Sequence, residues 1–87
     1  MRIIVKVRPK IPVDEYTPKQ IQHLESRFED INFVRTAEFD PKLMKVYVQY
    51  VDPQATEDDD RSDSIDKSAF RNAVNLTEEF TYVWMNV

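Results

Sequence analysis

The chain has 87 residues, 41% hydrophobic and 32% charged, with a formal net charge of −4. A chain of this length closes around one modest core, because it buries only about 60–65% of the surface its unfolded form exposes. It holds no cysteine and no glycine, which excludes disulfides, thiolate zinc sites and every phosphate-cradling loop that depends on glycine.

Turns must therefore come from Pro, Asp and Asn. The opening MRIIVKVRPK carries charges where a signal peptide needs an apolar run. No segment approaches the roughly 18 apolar residues of a membrane span. Together with the absence of cysteine, this sets the expectation of a cytoplasmic protein that does not enter a membrane. The charge is uneven. Residues 1–51 hold nine Lys/Arg and seven Asp/Glu, a net of +2, whereas residues 52–87 hold three and nine, a net of −6. A basic face on an acidic protein is the implication.

Residues 2–8, RIIVKVR, alternate, so Ile3, Val5 and Val7 share one face and Arg2, Ile4, Lys6 and Arg8 the other. This pattern predicts a half-buried strand ended by Pro9 and Pro12. TPKQIQHLESRFEDI, 17–31, predicts a helix. Thr17 is the N-cap, Pro18 the first helical residue and Gln20 the partner in a capping box, with Ile21, Leu24, Phe28 and Ile31 as its apolar stripe. Residues 33–51 predict a hairpin. FVRTAEF enters a four-residue loop, DPKL, and returns as MKVYVQYV. That register sets Phe39 against Met44 and Glu38 against Lys45. It places Phe33, Ala37, Phe39, Met44, Val46, Val48 and Tyr50 inside, Lys45, Tyr47 and Gln49 outside, and Arg35 inside as a misfit.

DPQATEDDDRSDS, 52–64, is acidic and aperiodic and is expected to be a mobile surface loop of a single 1–87 domain. A second helix follows, capped by Ser62 or Ser64. Its inner stripe is Ile65, Ala69, Ala73 and Leu76, and Asn75 ends it in a left-handed conformation. FTYVWMNV, 80–87, is rich in β-branched and aromatic residues and predicts a strand. A helix running on from 64 through Leu76, Phe80, Val83 and Val87 is the competing reading. If 80–87 is a strand, either Tyr82 and Trp84 or Thr81, Val83 and Met85 face outward.

The order strand, helix, strand, strand, helix, strand is that of the ferredoxin-like split βαβ fold, an antiparallel four-stranded α+β sheet with two helices on one face. The other face is expected to be open and to display Arg2, Ile4, Lys6, Arg8, Lys45, Tyr47, Gln49 and Trp84. KVYVQY partly resembles the octapeptide on the third strand of the RNA-recognition motif, with Tyr47, Val48, Gln49 and Tyr50 matching its aromatic-Val-x-aromatic ending. It departs from the motif where Lys45 replaces an aromatic, where no glycine precedes, and where RIIVKV lacks a stacking ring. The resemblance implies that Tyr47 is the stacking residue.

Catalytic signals are sparse. The single histidine, His23, lies at the margin of the helix stripe with no second histidine or cysteine to complete a metal site. No nucleophile stands at a recognisable spacing from it. Glu25, Glu29 and Asp30 read as the wet face of the first helix. Asn75-Leu76-Thr77 spells a glycosylation sequon without relevance to a cytoplasmic chain. Asp58, Asp59, Asp60, Asp63 and Asp66 lack the spacing of a calcium loop. As a row of carboxylates they can imitate phosphates in a basic groove, and neutralising all five would then abolish binding to such a partner.

The sequence-level expectation is a non-catalytic, cofactor-free protein-interaction module that docks through the sheet face and the acidic loop. It is similar in general character to phage-encoded inhibitors of host enzymes or nucleases. The alternatives are a single-strand nucleic-acid binder and a subunit that forms a homodimer or larger homo-oligomer through its open face.

Overall fold

The computed structural model describes residues 2–11, 14–51 and 67–86. The elements are β1 (Arg2–Pro9), α1 (Pro18–Glu29), β2 (Val34–Asp40), β3 (Lys45–Tyr50), α2 (Lys67–Asn75) and β4 (Phe80–Asn86). The four strands form one sheet in the order β2-β3-β1-β4, with every neighbouring pair antiparallel. This is the ferredoxin-like arrangement, with β1 and β3 central. Residues 80–86 form a strand, so the long-helix alternative fails. The expected acidic loop, Ser62, Ser64, Ile65 and the five aspartates at 58, 59, 60, 63 and 66 lie outside the described residues.

Alternation on the two central strands decides which face is covered. Ile3, Val5 and Val7 of β1 and Val46, Val48 and Tyr50 of β3 are buried, and so are Ala37 and Phe39 of β2 and Phe80 of β4. α1 lies over β2, α2 over β4, and the two helices touch. α1 begins as its sequence dictates. Thr17 Oγ1 accepts from the Gln20 N–H at 3.2 Å, while Gln20 Oε1 accepts from the Thr17 N–H at 2.9 Å. Leu24 and Phe28 point into the core, with Ile21 and Ile31 half-buried beside them. Rings pack within each layer, Phe39 edge-on to Phe80 at 5.2 Å on the sheet and Phe28 against Phe70 at 6.1 Å between the helices. Tyr50 of β3 joins the layers by meeting Phe70 at 6.5 Å.

Several expectations are corrected. The hairpin turn is 41–44 and not 40–43, so Asp40 pairs with Lys45, Glu38 with Tyr47 and Phe39 with Val46. Asp40 Oδ1 fixes the turn by accepting from the N–H groups of Lys42 (2.9 Å) and Leu43 (3.3 Å). The shift moves each partner by two residues, which preserves the faces.

Arg35 is no misfit. The β2–β3 register slips between Val34 and Thr36, so Arg35 is the extra residue of a bulge and is exposed. Phe33, expected inside, is 47% exposed with φ 71°, and half-buried Val34 takes its place against the core. α1 stops at Glu29, two residues short of Ile31.

In α2 the buried stripe is Phe70, Ala73 and Val74, while Leu76 is 65% exposed. Asn75 is not left-handed, since Phe33 and Met44 are the positive-φ residues among those described. Thr77 makes the turn from α2 into β4. It is 1% exposed, donates through Oγ1 to the Val74 carbonyl at 2.6 Å, and accepts there from the Phe80 N–H at 3.2 Å.

Candidate functional site

No helix covers the face of the sheet opposite α1 and α2 among the described residues. The pairing register sorts that face into rows, because directly opposite residues project to the same side. One row is Thr36, Gln49 and Arg2. The next is Glu38, Tyr47, Ile4 and Asn86. A third is Asp40, Lys45, Lys6 and Trp84, and Arg8 with Thr81 closes the series.

All eight residues expected on this face are brought together there. Thr36, Glu38, Asp40, Thr81 and Asn86 complete it. Their alternation with buried neighbours is the signal that could have found them.

The bulge in β4 decides where the aromatics go. Val7 pairs with Tyr82, but Lys6 pairs with Trp84, so Val83 is the extra residue. Tyr82 and Met85 turn inward and pack on the core, while Thr81 and Trp84 turn outward. Neither expected set, Tyr82 with Trp84 or Thr81 with Val83 and Met85, survives, since both assumed unbroken alternation. Trp84 is 41% exposed.

A cation attends each outward ring. The Arg2 guanidinium carbon lies 4.8 Å from the centre of the Tyr47 ring, and Lys45 Nζ lies 5.8 Å from that of Trp84. Arg2 belongs to β1 and Tyr47 to β3, and Lys45 to β3 and Trp84 to β4, so both contacts reach across strands. Lys6 sits between the two rings and donates from Nζ to the Leu43 carbonyl at 2.6 Å, which ties the face to the hairpin turn. The face holds four bases (Arg2, Lys6, Arg8, Lys45) and two acids (Glu38, Asp40), a surplus of two positive charges on a chain of net −4. A shallow recess at one end is lined by Arg2, Thr36, Glu38, Tyr47 and Gln49.

The helix side carries other chemistry. His23 is exposed, with Nδ1 3.9 Å from Glu79 Oε2, and both border a recess with Thr17, Lys19, Gln22 and Ser26. Glu79 Oε2 is buried and accepts no hydrogen bond among the described residues. Glu25 is not simply part of a wet face. Its Oε2 accepts the Phe39 N–H at 2.9 Å, satisfying a backbone donor of the edge strand β2. Burial pushes the Tyr16 hydroxyl above its ordinary pKa. Among the described residues, no three His, Cys, Asp or Glu side chains gather where they could hold a metal ion, and no helix is long and apolar enough to cross a membrane.

No protein-family model matches the chain, and no curated protein matches it. Among solved structures the chain is similar to a protein described as "CopZ metallochaperone". The likeness has a TM-score of 0.65 at 19% identity and covers 95% of this chain and 100% of that one. At that identity the likeness carries the fold. Carriage of metal does not follow from it, and this chain has no thiolate to offer.

Proposed function

We propose that this chain is a non-catalytic binding domain and that its partner sits on the open face of the sheet. The observation that carries the reading is the outward placement of Trp84 by the bulge at Val83, beside Lys6 and Lys45 and in the row next to Tyr47 and Ile4. A half-exposed indole and phenol ring on one face are costly to leave in water. Tryptophan, tyrosine and arginine are also the residues that anchor interfaces.

Two partner chemistries fit the face. One is a protein surface that presents carboxylates around an apolar patch. The other is a strand of nucleic acid. An inhibitor or regulator of an enzyme or nuclease, of the phage-encoded type, is a form of the first, supported by the small size and negative charge of the chain. Self-association through the same face has less support, because Arg2, Lys6, Arg8 and Lys45 would approach their own copies.

Photo-crosslinking tests the reading while the partner is still unidentified. Benzoylphenylalanine placed at Gln49, exposed on the open face, is expected to form adducts in cells. The same group at Gln22, exposed on α1, is expected to form none. Adducts from position 22 and none from position 49 would overturn the proposal.

A further inference from the structure

Resting on the reading of the open face as the binding surface, we infer that its ligand is single-stranded nucleic acid, with Tyr47 and Trp84 as two separate base-stacking stations and Arg2, Lys6, Arg8 and Lys45 as the phosphate contacts. Charge complementarity is the first argument. The whole chain is acidic, yet this face gathers four bases against two acids, and a surface of that sign on a chain of the opposite sign selects a polyanion. Glu38 and Asp40 both lie along β2, at one edge of the face. The centre and the β4 side carry bases and rings alone among their charged and aromatic groups.

The second argument is the layout of the rings. Tyr47 is level with Ile4 on one side of β1, and Trp84 is level with Lys6 on the other. Two strand spacings across and two residues along put their Cα atoms about 12 Å apart. One base cannot cover both rings, so each takes its own. The line joining them runs diagonally over β1, past Ile4 and Lys6.

Protein anchors tend to cluster in a single packed centre, whereas rings spaced along a basic track suit successive bases of a strand. Each ring also has its own cation from another strand, Arg2 of the adjacent β1 at 4.8 Å from Tyr47 and Lys45 of β3, reaching across β1, at 5.8 Å from Trp84. A phosphate next to a stacked base therefore meets a positive charge at either station. Stacking of this kind tolerates any base, so the binding is sequence-independent.

The test uses the full chain and a labelled, mixed-sequence DNA oligonucleotide of about 10 nucleotides. Anisotropy reports binding, and Trp84 emission reports stacking in the unaltered chain. With three or four phosphate contacts, affinity should fall about 20- to 50-fold between 50 and 200 mM salt. Tyr47→Ala and Trp84→Ala should each weaken binding about tenfold or more. Neither ring belongs to the core, so far-UV circular dichroism of both variants should match the parent.

Polyglutamate serves as a polyanion without bases. It should bind more weakly and be indifferent to either ring. Absence of quenching at 50 mM salt, or polyglutamate binding that matches the oligonucleotide and ignores ring removal, overturns the inference. If crosslinks from position 49 then capture a protein, only the ligand class is wrong. If position 49 is silent as well, the face itself is wrong.

Discussion

Removing one buried oxygen should reveal how much stability rests on the turn between α2 and β4. Thr77→Val keeps the shape of the side chain and deletes the hydroxyl. That hydroxyl donates to the Val74 carbonyl at 2.6 Å and accepts the Phe80 N–H at 3.2 Å, in a side chain 1% exposed. The variant buries an unsatisfied N–H at the first residue of β4, and it also removes one of two donors to the Val74 carbonyl, which keeps the Thr77 N–H at 3.0 Å. One orphaned donor costs about 1–3 kcal/mol and a lost net hydrogen bond about 1 kcal/mol, so roughly 2–4 kcal/mol is expected.

The chain of 87 residues should have a total stability of about 4–13 kcal/mol. The loss is thus a large fraction of the whole and should lower Tm by roughly 10–30 °C. Urea unfolding followed by far-UV circular dichroism measures it. Thr77→Ser is the control, since it keeps the hydroxyl and should fall well short of the valine variant. A valine variant within about 0.5 kcal/mol of the parent, or a serine variant equally destabilised, would refute the role given to the oxygen.

Other outcomes follow from the same structure. Thr17→Ala removes one half of the capping box and should cost about 1 kcal/mol by urea unfolding, with Thr17→Ser close to the parent. Glu25→Ala uncaps the Phe39 N–H and should destabilise by about 1 kcal/mol. Its amide protons in β2 should also exchange faster, and unchanged exchange would count against the cap.

Tyr16 has a folded pKa above 10.0 because burial disfavours its anion, so the unfolded chain releases that proton first as pH rises. Its contribution is complete below pH 10 and is lost as pH climbs through the folded value. Tyr16→Phe keeps the ring beside Phe80 and Phe39 and should flatten that part of the alkaline decline in the urea midpoint. Deletion of Val83 removes the extra residue yet leaves Tyr82 inward and Trp84 outward. Trp84 emission should stay red-shifted, and a blue shift would contradict the bulge.

Much of the architecture was legible because alternation and helical period are direct consequences of burial. Ile3, Val5 and Val7 marked the inner face of β1 by their spacing, and Thr17 with Gln20 marked the start of α1. The hairpin register was misplaced by a turn one residue too early. Faces survived this because a two-residue shift of partners keeps the pleat in phase.

The bulges were not legible. An extra residue at Arg35 or Val83 changes no composition and breaks alternation only once, so Arg35 read as a misfit and the outward set on β4 stayed undecided. The stripe of α2 was rotated for a different reason. Apolar Leu76 looked like a core residue and polar Thr77 did not, but a hydroxyl that satisfies both a carbonyl and an N–H can lie in the core where a misdirected leucine cannot. The bases and rings of the candidate face were readable as residue types. Their pairing into two ring–cation stations depended on the order of the strands across the sheet and on the slip at Val83.

The absence of glycine has a consequence for how this chain could evolve or be stabilised. Phe33 and Met44 stand just before β2 and β3 with φ of 71° and 54°, each bearing a side chain where the backbone would favour none, at about 1–2 kcal/mol apiece. Glycine at either corner would relieve that strain. It would also give the unfolded ensemble more conformations, a loss of about 0.4–1 kcal/mol. The strain relief is the larger of the two, by roughly 0.5–1 kcal/mol at each corner. The fold can keep a stiff, glycine-free chain at a small net cost, and each corner side chain offsets part of it by packing, Met44 against the core and Phe33 edge-on against Tyr50.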